Sequence, residues 1–198
     1  MPISRRLISS VALSVAAFLV SPAALRAQQI RKAPELAFTV PGQGEKLLSQ
    51  YRGKVVALAF ILTTCPHCQA YTRMMSGLQQ QYGPQGFEAI DVAINALDEN
   101  RTPDQAAQMI QAFDNTFHPT FPVGFVPRDS FLSFLAYSIT EYTVVPQVVL
   151  IDRKGFIHYQ TPARGDGIST QEGTLRTRIQ ELLAQPASAS APKLHASR

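Results

Sequence analysis

The sequence predicts one α/β domain in which a central mixed β-sheet has helices on both faces and begins with an N-terminal β-hairpin. Two observations support this fold class. Residues 55–62 form an unbroken apolar run of strand length, VVALAFIL, as expected of a central strand that is covered on both faces. From Pro66 onward the period changes, because Tyr71, Met75 and Leu78 recur on one face of a helix. Alternation of such strands and helices is typical of α/β domains.

The remaining elements are inferred from the same two periods and from the turn residues between them. They give the order β-β-β-α-β-α-β-α-β-β-α, in which the first strand is expected at an edge of the sheet with the second as its hairpin partner. The predicted strands cover residues 35–40, 47–48, 55–62, 87–94, 122–126, 147–152 and 156–160. The predicted helices cover residues 66–82, about 103–114, 130–137 and a last segment that starts at Ser169.

Capping residues mark the starts of three of these helices. Pro66 stands in the first turn of its helix, where the missing N–H of proline leaves no hydrogen bond unmade. Thr102 is a predicted N-cap with Gln105 in the capping-box position. Ser169 and Glu172 have the same spacing, so they predict a second capping box at the start of the last helix.

The two ends of the chain differ in composition from the predicted domain, which covers residues 28–184. Residues 1–27 contain Arg5 and Arg6 before an apolar stretch and then small residues, which is the pattern of a signal peptide. We therefore expect an exported, periplasmic protein. A membrane anchor is less favoured, because serine and proline interrupt the apolar stretch. Residues 185–198 are rich in alanine, serine and proline and are predicted to be a disordered tail.

The charge of the chain gives no sign of nucleic-acid binding. The whole sequence has 18 basic and 14 acidic residues, but three of the basic residues lie in the predicted signal peptide. The mature part then carries 15 basic and 14 acidic residues, which is not the basic excess that nucleic-acid binding requires. A domain of this length can bury a full core, and we expect it to be a monomer.

The only two cysteines, Cys65 and Cys68, are separated by Pro66 and His67 and lie where the central strand becomes a helix. A helix N-terminus presents unpaired N–H groups and the positive end of the helix dipole, which favour a thiolate over a thiol. Cys65 is therefore predicted to be the nucleophile. Cys68 lies about one turn further along and is predicted to resolve the mixed disulfide that Cys65 forms. This exchange requires no nucleotide, metal or other cofactor.

Pro66 and His67, the residues between the cysteines, are predicted to tune this exchange. An imidazole near the Cys65 sulfur would stabilise the thiolate and hence the reduced form, which makes the disulfide more oxidising. The alternative is that His67 only faces solvent.

Three segments, GKVVALAFILTTCPHC, FPVGF and VPQVVLIDRKGFI, resemble the exported TlpA/ResA-like thiol-disulfide oxidoreductases of the thioredoxin-fold superfamily. The resemblance covers residues 33–183 and implies a thioredoxin-like fold for residues 28–184. It also implies that Pro146 is the cis-proline facing the active disulfide and that Val145 offers its backbone to an extended substrate segment. The implied substrates are protein thiols and disulfides, with a membrane or soluble redox partner that resets the cysteine pair.

The chain departs from the family pattern at three positions around the cysteines. Thr64 stands where the family usually has tryptophan, and Ala59 stands where a thioredoxin has a buried aspartate. Tyr71 occupies the position at which some family members carry glutamate. No proton acceptor for Cys68 is therefore evident from the sequence. The Pro-His dipeptide and the valine before the predicted cis-proline are instead similar to the oxidant DsbA.

Three alternative functions remain open. A copper-binding or copper-delivery protein of the same fold would use the two cysteines and His67, with His118 or His158 added, although such proteins resemble C-x-x-x-C rather than C-x-x-C. A thiol peroxidase is disfavoured, because that family has threonine where this chain has Leu62. The third alternative is an inert protein with a buried, reduced pair.

Overall fold

The computed structural model of the protein describes residues 30–186. The predicted signal peptide and most of the predicted tail lie outside the described residues. The strands are β1 (Arg31–Lys32), β2 (Ala37–Val40), β3 (Gly44–Leu47), β4 (Val55–Ile61), β5 (Phe87–Ala93), β6 (Val123–Phe125), β7 (Gln147–Ile151) and β8 (Phe156–Gln160). The α-helices are α1 (Pro66–Tyr82), α2 (Pro103–Phe117), α3 (Arg128–Leu135) and α4 (Glu172–Ala184). Among these four helices, none has the length and apolar character needed to cross a membrane.

The strands of residues 30–186 form one mixed sheet in the order β1-β8-β7-β4-β5-β6-β2-β3. Strands β4, β5 and β6 run parallel, whereas the other neighbouring pairs are antiparallel. Strand β4 lies between β5 and β7, and all seven of its residues are buried. The predicted central mixed sheet is therefore confirmed, and so is the central position of the apolar run.

Helices cover both faces of the sheet, as predicted. Helices α1, α2 and α4 pack on one face, which we call the helical face. Helix α3 and the N-terminal segment pack on the opposite face, where Phe60, Phe131 and Phe134 meet, and which we call the aromatic face. Because side chains alternate along a strand, the β4 neighbours Ala59 and Phe60 point to the helical and the aromatic face respectively.

The N-terminal hairpin, β2 and β3, extends the sheet through a short antiparallel contact with β6, in which Thr39 pairs with Phe125. A glycine is required beside this pair. A Cβ atom on Gly124 would lie 2.7 Å from the carbonyl oxygen of Thr39 and 2.8 Å from the ring of Phe38. The hairpin therefore approaches β6 more closely than a side chain at position 124 would allow.

Several details differ from the predictions. The hairpin strand predicted at residues 47–48 is Gly44–Leu47, and Leu48 already belongs to a short 3-10 turn. The two-residue strand β1 was not predicted and pairs with β8 at one edge of the sheet. Strand β2 was predicted at an edge but lies inside, because its partner β3 forms the edge. Helix α4 begins at Glu172 rather than at Ser169. The amide of Ser169 donates to the Asp166 carboxylate at 2.8 Å, which holds this serine in a loop turn.

Candidate functional site

Cys65 lies at the point where the central strand turns into helix α1. Its backbone is extended (φ −83°, ψ 121°) in the N-cap position, and Pro66 follows as the first helical residue. The Cys65 amide donates to the carbonyl oxygen of Leu62 at 3.1 Å, and its own carbonyl accepts from Gln69 at 3.0 Å. The tight turn after β4 thus holds a half-buried thiol at the positive end of a 17-residue helix.

Cys68 lies in the first turn of α1 and is fully buried. Both cysteines are free thiols in this structure. Burial raises the pKa of the Cys68 thiol strongly, and a backbone hydrogen bond from Leu62 opposes the rise only in part. Cys65 therefore reaches the surface, whereas Cys68 is a protonated thiol behind it at neutral pH.

A cleft of about 280 Å³ is lined by His67, the residue that precedes Cys68 in the first turn of α1. One wall is the segment Val144–Pro146, in which the Val145–Pro146 peptide bond is cis, as the resemblance implied. The buried Gln147 side chain fixes this segment by donating to the carbonyl oxygen of Val144 at 2.8 Å. Within residues 30–186, the amide and the carbonyl of Val145 make no backbone hydrogen bond.

His67 is exposed and lines this same cleft together with the cis-proline segment. Within the described residues, its imidazole has no hydrogen bond to Cys65 or to any other residue. Of the predicted site residues, His67, Val145 and Pro146 line this cleft, whereas Cys65, Pro66 and Cys68 lie on the adjoining start of α1 and do not line it.

Asp91, in the middle of β5, is a residue of this region that the sequence analysis missed. It is 1% exposed and pairs in register with Ala59, the position at which a thioredoxin carries its buried aspartate. Burial raises the pKa of Asp91 to about 7, a hydrogen bond from Thr72 lowers it, and the charge of Asp114 raises it further. The available signal was an aspartate flanked by apolar residues on both sides, in the segment AIDVAI of this strand.

The histidines considered as additional metal ligands lie apart from the cysteines. His158 is on β8 and contacts the Asp152 carboxylate at 2.9 Å. His118 ends α2 in a left-handed conformation. Within residues 30–186, no three side chains of His, Cys, Asp or Glu are grouped as a metal site would require.

A thioredoxin fold that carries a C-x-x-C pair at a helix start beside a cis-proline defines the class of thioredoxin-like thiol proteins. The description of the matching family model is the AhpC/TSA family, and the match covers residues 30–160. The chain belongs to this family.

Three proteins illustrate its similarity to known members of the class. The thiol-disulfide oxidoreductase ResA of Geobacillus kaustophilus is 30% identical over 123 residues, which are 62% of this chain and 63% of the relative. A Chlorobium tepidum structure assigned as thiol:disulfide interchange protein DsbE is 25% identical, with a TM-score of 0.62 over 78% of this chain and 96% of that one. A second Chlorobium tepidum structure, a thiol:disulfide interchange protein of the thioredoxin family, is 17% identical, with a TM-score of 0.60 over 78% of this chain and 97% of that one. The resemblance inferred from the motifs is confirmed, and the match spans just under two thirds of the curated relative.

Proposed function

We propose that this protein is an exported thiol-disulfide oxidoreductase that exchanges a Cys65–Cys68 disulfide or dithiol with protein substrates. The observation that carries the proposal is the arrangement of the pair. A half-buried cysteine caps a helix, a buried cysteine lies in the first turn of the same helix, and His67 between them lines the cleft of the cis-Pro146 segment. The similarity to ResA, whose name describes this activity, supports it.

The exchange proceeds in two thiol steps. The Cys65 thiolate attacks one sulfur of a substrate disulfide, which forms a mixed disulfide and releases the other substrate sulfur as a thiolate. Cys68 then loses its proton and attacks the Cys65 sulfur, so that the second substrate thiolate leaves. The substrate gains two electrons and the Cys65–Cys68 pair loses them. The reverse sequence oxidises a dithiol substrate.

The cleft offers a place for an extended substrate segment. The backbone of Val145 lies at its wall, and a peptide strand that runs alongside could pair with the amide and carbonyl of this residue. His67, which lines the same cleft, would contact the same segment. We further propose that the protein is a periplasmic monomer from which the signal peptide of residues 1–27 is cleaved. A membrane or soluble redox partner would return the cysteine pair to its starting oxidation state.

The proposal is tested with the chain that lacks residues 1–27. We expect it to catalyse the reduction of insulin by dithiothreitol, and Cys65→Ser to abolish this activity. Cys68→Ala should accumulate mixed disulfides with substrate proteins, because the resolving thiol is missing while the nucleophile remains. Equal accumulation in Cys65→Ala would show that the roles of the two cysteines are assigned wrongly.

The same preparation separates the proposal from its alternatives. Stoichiometric copper after gentle purification, with no insulin reduction, would favour copper delivery through Cys65 and Cys68. Rapid consumption of hydrogen peroxide would favour a thiol peroxidase. We expect neither outcome. Leu62 offers no hydroxyl to a peroxide. His67 is adjacent in sequence to Cys68, which is a poor arrangement for two ligands of one tetrahedral metal site.

A further inference from the structure

A small polar cluster lies inside the helical face, directly behind the cysteine pair. It consists of Cys68, Tyr71 and Thr72 on α1 and Asp91 on β5, none of which is more than 4% exposed. The hydroxyl of Tyr71 is buried and has no hydrogen-bond partner within residues 30–186. Burial in such a place penalises the charged form of a carboxyl group.

The register of the sheet places Asp91 on the helical face, where Cys68 is also buried. Asp91 pairs with Ala59, and its neighbours at two-residue spacing, Ala89 and Ala93, belong to the helical face together with Cys68. Side chains two residues apart point to the same face of a strand. The methyl group of Ala59 thus leaves room for a carboxyl group that comes from the adjacent strand.

The hydroxyl of Thr72 connects this carboxyl group to the main chain of Cys68. The Thr72 Oγ1 atom lies 2.5 Å from Oδ2 of Asp91 and 3.1 Å from the carbonyl oxygen of Cys68. A hydroxyl has one hydrogen to donate, and a carbonyl oxygen only accepts. An ionised Asp91 therefore competes with Cys68 for that hydrogen. A protonated Asp91 donates to Thr72, which leaves the Thr72 hydrogen for the Cys68 carbonyl, so that both contacts are hydrogen bonds.

We infer that Asp91 receives the proton that Cys68 loses when it attacks the Cys65 mixed disulfide, and that Thr72 couples this protonation to the main chain of Cys68. The inference rests on the proposed exchange reaction. It gives the reaction the proton acceptor that the residues at positions 59 and 71 do not supply.

The proton balance of the resolving step is simple. Before the step, Asp91 is a carboxylate and Cys68 is a thiol. As the Cys68 sulfur bonds to the Cys65 sulfur, the S–H proton ends on Asp91 and the substrate thiolate leaves. The pair is then a disulfide, and Asp91 is a neutral acid that donates to Thr72. No further oxidant or reductant takes part.

The ionisable groups that face Asp91 fit this role. Cys68 and Tyr71 come from α1, and both have their pKa values raised by burial and, less strongly, by the charge of Asp91. Asp114 comes from α2 and raises the pKa of Asp91. With a pKa of about 7, Asp91 is a carboxylate in a large part of the molecules at neutral pH. A base with a pKa near the working pH is the efficient choice for proton transfer.

The test follows the reduced mature chain after rapid mixing with an equimolar amount of 5,5′-dithiobis(2-nitrobenzoate) between pH 5 and 9. Attack by Cys65 releases the first thionitrobenzoate, and attack by Cys68 releases the second. In the wild type, the rate of the second phase should level off above a pH near 7. In Asp91→Asn it should be slower at pH 7 by at least roughly tenfold and rise with pH without an inflection, while the first phase is retained.

Two further variants make the result specific. Thr72→Val removes the hydrogen bond that lowers the pKa of Asp91, so the inflection of the second phase should move to higher pH. Asp114→Asn, which removes the other carboxyl group with a raised pKa, should keep the inflection and move it slightly to lower pH. Circular dichroism of each variant checks that it is folded, because an unfolded chain would also react with the reagent.

Each contrary result has one meaning. A second phase in Asp91→Asn with the wild-type rate and pH profile overturns the role of Asp91. An inflection that does not move in Thr72→Val overturns the coupling through this hydroxyl, and loss of the inflection in Asp114→Asn overturns its assignment to Asp91. The small disulfide reports on the cysteine pair alone. Failure of the proposed function would appear separately, as wild-type protein that completes both phases but reduces no insulin.

Discussion

The two faces of the sheet contrast in what they bury. On the helical face, Ala59 of the central strand lies beside Asp91 and close to the first turn of α1. On the aromatic face, the next residue of the same strand, Phe60, has its ring centroid 5.1 Å from that of Phe131 and 5.6 Å from that of Phe134. One strand thus presents a small side chain to the thiol site and a large one to an apolar core.

This difference separates stability from chemistry. Aromatic pairs at these distances stabilise a fold beyond the area that they bury. A buried carboxyl group destabilises the folded state when it is charged. We therefore expect substitutions on the aromatic face to change the free energy of unfolding and to leave thiol exchange intact, and substitutions on the helical face to change proton-linked properties.

The largest expected effect tests the aromatic face. Phe131→Ala removes a fully buried ring and should lower the free energy of unfolding by about 3–5 kcal/mol. The folded fraction should still release both thionitrobenzoate groups at wild-type rates. Chemical denaturation measures the first quantity and rapid mixing the second. Leu132→Ala, at a half-buried neighbour, is the matched control and should lower the free energy of unfolding by less. A loss of exchange in folded Phe131→Ala would show that the two faces are coupled.

The next effect tests the helical face through the pH dependence of stability. The pKa of Asp91 is raised to about 7 in the folded protein, so the folded state binds more protons than the unfolded chain between about pH 4 and 7. The free energy of unfolding should therefore fall as the pH rises through this window and level off above it. Asp91→Asn should remove most of this slope. At pH 8 the free energies of unfolding of the variant and the wild type should therefore differ by a few kcal/mol.

Urea denaturation of the reduced protein between pH 5 and 8 measures this slope. Burial also raises the pKa of Asp114, to about 6, so Asp114→Asn is the control that accounts for the residual slope. The carboxyl groups with lowered pKa values, Glu35, Asp152 and Asp166, act in the opposite direction but below this window. An unchanged slope in Asp91→Asn would contradict the burial of a protonated Asp91.

A smaller effect tests how the N-terminal hairpin closes the sheet. Gly124→Ala places a methyl group against the backbone of Thr39 and the ring of Phe38. Such overpacking should lower the free energy of unfolding by about 1–3 kcal/mol, measured by denaturation. Gly77→Ala is the control, because a Cβ atom there meets nothing within 4 Å, and in the interior of α1 alanine should stabilise. A neutral Gly124→Ala would mean that the hairpin can shift away from β6.

The smallest effect concerns the redox potential. We expect a value between the roughly −270 mV of thioredoxin and the roughly −120 mV of DsbA, because His67 adjoins the pair and position 59 has no carboxylate. Asp91 opposes this trend when it is ionised. His67→Gly should make the potential more negative by tens of millivolts, where 30 mV corresponds to about 1.4 kcal/mol.

Equilibration with glutathione measures the potential. His118→Gly is the matched control, since His118 ends α2 with a φ of 47° that glycine adopts readily. A wild-type potential at or below that of thioredoxin, or one that His67→Gly leaves unchanged, would contradict the tuning role of His67.

Local signals were sufficient for most elements and for the cysteine pair. The helix that starts at Pro66 and the capping box of Thr102 and Gln105 were predicted correctly, because each depends on residues within a few positions of one another. The start of α4 was predicted wrongly. There, the side chain of Asp166 holds Ser169 in a loop, and the serine–glutamate spacing alone did not reveal this competitor.

By itself, the sequence determined the fold class, the boundaries of the central strand and of α1, and the placement of Cys65 and Cys68 at their junction. These features follow from periodicity and from neighbouring residues. Only the tertiary structure decided which acidic group accompanies the thiols. Asp91 meets Thr72, 19 positions earlier in the chain, because the parallel register of β4 and β5 sets it beside Ala59 under the first turns of α1. Sheet register joins residues that no local pattern connects, and it is specified by which side chains the folded sheet buries.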